Sequence, residues 1–154
     1  MHKWRITPQS VAVTAHHKMS AEVEAEHEPT PHEPAPHVVP TCRALFTASD
    51  WDACMEDVGD GLIAVNLCAP SRCAASRIVI DAFERARLDP AFATAHFATV
   101  DIDAAEEHFV TSRGLVVAPT LQFFKSGYML TQFRGGDEIR LRSELTRLLA
   151  ALRL

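Results

Sequence analysis

Leu62-Ile63-Ala64-Val65-Asn66-Leu67-Cys68-Ala69-Pro70-Ser71-Arg72-Cys73 is the stretch around which the rest of the chain is arranged. Its first six residues, apolar but for Asn66, are too few for a buried helix and read as a strand covered on both faces. The run then meets a Pro-Ser turn that opens a helix, and a cysteine stands on each side of that turn. Either these two thiols do chemistry or they fill space. Val117-Ala118-Pro119-Thr120 is the second marker, a proline-containing lead into another apolar run.

Working outward, Asp60-Gly61 turns the chain into the central strand, and Arg43-Ala44-Leu45-Phe46 is a shorter strand candidate before it. Ser49, with Asp50 and Asp52 behind it, reads as the cap of a helix whose Trp51, Met55 and Val58 recur at i, i+4 and i+7. After the Pro-Ser turn, Ala75, Val79, Ala82, Phe83 and Ala86 mark the buried face of a second helix. Arg77, Asp81, Glu84 and Arg85 face water, and Pro90 lies in the loop that ends it.

Phe97 to Ile102 predicts a further strand, and Ala104 to Arg113 a short helix stopped by Gly114. Leu121 to Phe124 and Met129 to Phe133, joined at Ser126-Gly127, predict an antiparallel hairpin with Phe123, Phe124 and Phe133 in the core. Leu141, Leu145, Leu148, Leu149 and Leu152 form the stripe of a terminal amphipathic helix. The order βαβαβαββα gives an α/β fold with a mixed central sheet and helices on both faces.

The chain has 154 residues, 47% of them hydrophobic, enough for one sizeable core plus something extra. The extra part is residues 1–41, which hold six of the nine prolines and six of the eight histidines, and such a composition cannot form a core. The domain is therefore expected over 42–154. In the tail, His27-Glu28-Pro29-Thr30-Pro31 is followed by His32-Glu33-Pro34-Ala35-Pro36 and His37. Alternate prolines favour an extended polyproline helix, in which a five-residue spacing points successive imidazoles in different directions. That opposes metal binding and favours a solvated spacer or a partner-docking arm.

A formal charge of −5 gives no general affinity for nucleic acid or an anionic membrane. No apolar run approaches the roughly 20 residues of a membrane span, so membrane insertion is not expected. Four cysteines without a regular framework do not describe a secreted disulfide scaffold. The expected compartment is reducing, either cytoplasmic or organellar. Lys3, Arg5 and Lys18 without an acid before Glu22 carry a trace of a mitochondrial presequence, though with a single arginine.

From about Arg43 onward the chain resembles a thioredoxin. The resemblance rests on an ordered set: Asp60-Gly61 leading into Leu62 to Leu67, Thr99-Val100-Asp101-Ile102-Asp103, Gly114-Leu115, Ala118-Pro119-Thr120 and Phe124-Lys125-Ser126-Gly127. It covers the domain and none of the tail. It implies the thioredoxin fold, a cis peptide at Ala118-Pro119, and a partner-binding rim formed by Pro70, Ala118, Pro119 and Thr120.

The active-site loop departs from the family. Thioredoxins carry Trp-Cys-Gly-Pro-Cys, in which the first cysteine attacks a disulfide and the second resolves the mixed disulfide. Aligned through the following helix, Cys73 takes the second position, Pro70 falls on the attacking one, and Cys68 stands where the family has a tryptophan. The spacing is Cys-x-x-x-x-Cys. The buried acid and facing lysine that control the family's thiols correspond to Asn66 and Thr99, and an asparagine side chain cannot take up a proton at physiological pH.

The expectation is a degenerate active site on a fold used as an interaction or structural subunit of a larger assembly, without a cofactor. The competing expectation is an atypical thiol-disulfide oxidoreductase using Cys68 and Cys73. In that case Cys73, at a helix start, is the reactive thiol or the two close a small disulfide. Arg72 is either a thiolate-stabilising charge or a solvated one, and Cys54 a small buried hydrophobe.

Overall fold

The computed structural model describes residues 39–153. The readings of the preceding segment, as tail, docking arm or histidine site, lie outside the described residues. In chain order the elements are β1 (Cys42–Ala44), α1 (Ala48–Val58), β2 (Leu62–Cys68), α2 (Ala74–Arg87), a 3-10 turn (Pro90–Phe92), β3 (His96–Asp101), α3 (Glu107–Ser112), β4 (Thr120–Lys125), β5 (Tyr128–Arg134) and α4 (Glu138–Leu152). The expected order is present, with the 3-10 turn inserted before β3.

Every residue of β2 is buried, because the strand is central in a sheet of order β1-β3-β2-β4-β5. It runs parallel to β3, from Ile63 opposite His96 to Cys68 opposite Asp101. On its other side it runs antiparallel to β4, from Leu62 opposite Lys125 to Leu67 opposite Thr120. Successive side chains alternate between faces. Leu62 and Ala64 join Val79, Phe83, Leu141 and Leu145 under α2 and α4. Ile63, Val65 and Leu67 join Trp51, Cys54 and Phe109 under α1 and α3. Two cores on one sheet explain why the run is apolar at nearly every position.

Aromatic pairs fasten both layers. Trp51 meets Phe124 edge-on at 5.3 Å, and Phe83 meets Phe97 at 5.2 Å. The hairpin turn has positive φ at both Ser126 (50°) and Gly127 (75°), which matches the right-handed twist of the flanking strands. Ser126 also donates to Asp60 Oδ1 at 2.6 Å, tying the hairpin tip to the turn that enters β2.

Several local expectations shift. Thr47, not Ser49, caps α1: its hydroxyl accepts the Asp50 N–H at 3.0 Å, and the Asp50 carboxylate accepts the Thr47 N–H at 3.0 Å. This reciprocal box satisfies two orphan donors at once, which a lone serine in the first turn cannot do. The fully buried residues of α1 are Trp51 and Cys54, with Met55 and Val58 partly buried against the same core. On α2, Ala75 is exposed and Ser76 is buried instead, three residues before Val79 on the same face. The short helix α3 forms only from Glu107, because the Asp101 carbonyl first accepts the Ala104 and Ala105 N–H groups in a turn, at 3.1 and 2.8 Å.

Candidate functional site

The site is built where β2 ends and α2 begins. Past Cys68 the chain folds over itself: the Ala69 carbonyl accepts the Cys73 N–H at 2.9 Å, while the Ala69 N–H reaches the buried Ser76 hydroxyl at 3.0 Å. Three side chains fix the loop from outside. Ser71 donates to Asp103 Oδ2 at 2.6 Å, Arg72 Nε to Asp103 Oδ1 at 2.7 Å, and Arg77 to the Pro70 carbonyl at 2.6 Å. The Ser71 hydroxyl, then the Arg72 guanidinium, hold the Asp103 carboxyl below the usual carboxylate range. Of the two readings of Arg72, its main partner is thus a carboxylate on the β3–α3 connection.

The two cysteines at the turn have opposite environments. Cys68 is 1% exposed at the last position of β2, and its carbonyl holds the Ile102 N–H at 2.9 Å. Burial first, then the neighbouring Asp101 charge, pushes its thiol up to about 12. Cys73 is half-buried and is the N-cap of α2. Its sulfur makes no capping bond of normal geometry, but the nearby Ser76 hydroxyl, then the Ser76 and Ala75 N–H groups, hold its thiol below the ordinary value, with a smaller contribution from Arg72. Both sulfurs are free thiols, as are those of Cys42 and Cys54. Cys54 is 2% exposed in the α1 layer, the small buried residue expected.

Asn66 and Thr99 are direct partners across β2 and β3. Asn66 is completely buried, and neither end of its amide has a hydrogen-bond partner. Thr99 shares a contact of 3.4 Å with the Cys42 sulfur. No carboxylate or ammonium stands at either position.

Of the expected rim, Pro70, Ala118 and Pro119 are half-buried, and the Ala118-Pro119 peptide is cis. The Pro119 carbonyl accepts the Gly135 N–H at 2.9 Å, which ties the loop to the end of β5. Thr120 is only 5% exposed and donates its hydroxyl to the Val117 carbonyl at 2.8 Å, so its side chain turns inward rather than to the rim. Next to it lies a cavity of about 300 Å³ lined by Leu67, Val117, Thr120, Gln122, Gln132 and Arg134 among others. Sequence reasoning did not single out Gln122 or Arg134. The available signal was Gln122 itself, a polar residue inside Leu121 to Phe124.

Among the described residues no group of histidine, cysteine and carboxylate side chains has the geometry to hold a metal ion, and no helix is long and apolar enough to cross a membrane.

The fold is that of a thioredoxin-fold protein, and similarity to solved structures agrees. Thioredoxin from Fasciola hepatica is 30% identical, with a TM-score of 0.61 over 68% of this chain and 97% of that one. Thioredoxin from Trypanosoma brucei brucei is 22% identical, with a TM-score of 0.63 over 75% and 96%. A poplar thioredoxin h mutant is 19% identical, with a TM-score of 0.64 over 72% and 84%. No protein-family model and no curated protein matches the chain. The chain belongs to the thioredoxin-like superfamily.

Proposed function

We propose that the domain is a protein-interaction module, a subunit of a larger assembly, that keeps the thioredoxin fold without its dithiol exchange. The observation supporting this is the inequality of the two sulfurs. Dithiol exchange needs an accessible thiolate to attack and a second thiol free to resolve. With its thiol at about 12, Cys68 carries the thiolate in roughly one molecule in 10⁵ at pH 7, and the strand end encloses it. Pro70 stands where the family's attacking cysteine is expected, and Asn66 and Thr99 replace the proton-handling pair. The rim of Pro70, Ala118 and Pro119, flanked by the exposed Val116 and Val117, remains as a contact surface, and the Pro/His-rich segment 1–41 serves as a docking arm.

A second reading is favoured by one observation, the lowered thiol of the half-buried Cys73. In it Cys73 attacks a substrate disulfide and Cys68 resolves the mixed disulfide, which requires the end of β2 to open. Insulin-disulfide reduction with dithiothreitol separates the two. The interaction reading expects background rates from the wild type and from Cys68→Ser and Cys73→Ser alike. Turnover in the wild type that disappears in either variant would establish the exchange reading instead. On the interaction side, the full chain is expected to elute from a native extract in a large species, and removal of residues 1–38 to weaken that association. A wild-type protein that elutes as a monomer would sink the subunit proposal.

A further inference from the structure

On the α1/α3 face of the hairpin, Thr120 is opposite Arg134, Gln122 opposite Gln132, and Phe124 opposite Met129. These three pairs form a row, and alternate residues on a strand are roughly 7 Å apart, so the row is roughly 14 Å long. It is open. At one end is the cavity of about 300 Å³ beside Arg134, and at the other a groove of about 250 Å³ lined by Trp51, Arg113, Leu115, Phe124 and Met129. Gln122 lines both and lies between them.

The chemistry changes along the row. The far groove is mostly apolar, with Trp51, Leu115 and Phe124 buried and Met129 half exposed at 49%, and its charged residue Arg113 is paired with Asp52. In the middle, Gln122 is 8% exposed. Its Nε2 donates to Gln132 Oε1 at 3.0 Å, and its own Oε1 has no partner. A buried acceptor without a partner costs free energy that an N–H or O–H donor reaching it would recover. At the near end Arg134 is exposed and makes no ion pair among the described residues.

We propose that this row is a binding site for the extended C-terminal segment of a partner protein. An apolar side chain enters the Trp51 groove, a backbone N–H of the segment donates to Gln122 Oε1, and the terminal carboxylate pairs with Arg134. A four-residue extended segment spans roughly 13 Å, the length of the row, and the order apolar, donor, anion matches the order of the lining. Of the two guanidinium groups in the lining, Arg113 is paired with Asp52 and lies over the Trp51 ring, so Arg134 at the other end of the row is the one left to take an anion, which suits a chain terminus. This deepens the interaction reading by naming its partner chemistry, and it uses a face other than the Cys73 loop.

The test uses the full-length, ¹⁵N-labelled protein titrated with acetyl-Leu-Ser-Ala-Ala bearing a free C-terminal carboxylate, and with the same peptide as its carboxamide. The acid is expected to shift the Gln122 and Gln132 side-chain amides and the Trp51 indole, and to bind about tenfold more tightly than the carboxamide. Arg134→Ala is expected to bring the acid down to the carboxamide's affinity. Arg140→Ala, which removes a guanidinium stacked on Phe133, is expected to leave both unchanged. Equal affinity of acid and carboxamide, no saturable shift up to about 10 mM, or shifts centred on Ser71 and Cys73 would each overturn the proposal. Insulin turnover is a separate measurement, so the interaction reading and this site fail independently.

Discussion

A Cβ placed on Gly136 would lie 1.7 Å from Cγ2 of Val79. Val79 is 1% exposed in the layer beneath α2 and α4, so the absent side chain at Gly136 is what lets α2 approach the β5–α4 connection this closely. Gly136→Ala is expected to force the two apart and destabilise the domain by about 1–3 kcal/mol, the usual range for overpacking. Urea unfolding of the variant checks it, and a Gly136→Ala, Val79→Ala double variant is expected to recover part of the clash cost. A single variant as stable as the wild type would show that the close approach is not needed.

The unequal thiols predict unequal alkylation. In the folded protein, iodoacetamide is expected to modify Cys73 fastest, with a rate that rises at a lower pH than for an ordinary thiol, and to leave Cys68 untouched until the protein unfolds. Peptide mapping of the modified protein identifies the sites. A fast phase that survives Cys73→Ser would contradict the assignment.

Ser76 links stability to that reactivity. Its buried hydroxyl accepts the Ala69 N–H at 3.0 Å and is the largest cause of the lowered Cys73 thiol. Ser76→Ala leaves the Ala69 N–H without its partner, at a cost of about 1–3 kcal/mol. It is also expected to move the Cys73 alkylation profile to higher pH. A variant that loses stability with an unchanged profile would mean Ser76 has only a structural role.

Acid sensitivity follows from the α1 cap. The Phe46 N–H, then the Thr47 side chain and N–H, hold the Asp50 carboxyl below its ordinary value of 3.8. Because the folded value is the lower one, the cap's contribution is fully present above that ordinary value and is lost as pH falls through the folded one. Urea midpoints measured at descending pH are expected to fall less steeply for Asp50→Asn than for the wild type over that window. Parallel curves would remove Asp50 from the acid response.

Much of the architecture is legible because hydrophobic periodicity is a local property. Leu62 to Leu67 could be read as a doubly covered strand from its run of apolar residues. Val79, Ala82, Phe83 and Ala86, like Leu141, Leu145, Leu148 and Leu149, declare their buried faces by spacing alone. Element boundaries were less legible where two local signals competed, as when the reciprocal bonds of Thr47 and Asp50 displaced Ser49 as the cap.

The sequence by itself determined the order of elements and the hairpin at Ser126-Gly127, while its resemblance to thioredoxins implies that Pro70, Asn66 and Thr99 stand where that family carries its chemistry. Tertiary structure decided which thiol is open. The helix start already marks Cys73 as the candidate reactive thiol in the sequence, but only the pairing of Cys68 with Asp101 in a fully buried strand, against the half-buried Cys73 at the start of α2, sets their protonation apart. It also decided the row of Trp51, Gln122 and Arg134, residues from α1, β4 and β5 that no local pattern connects. The physical reason is the same in both cases: burial and charge act through space, between residues that the chain brings together only after the sheet has formed.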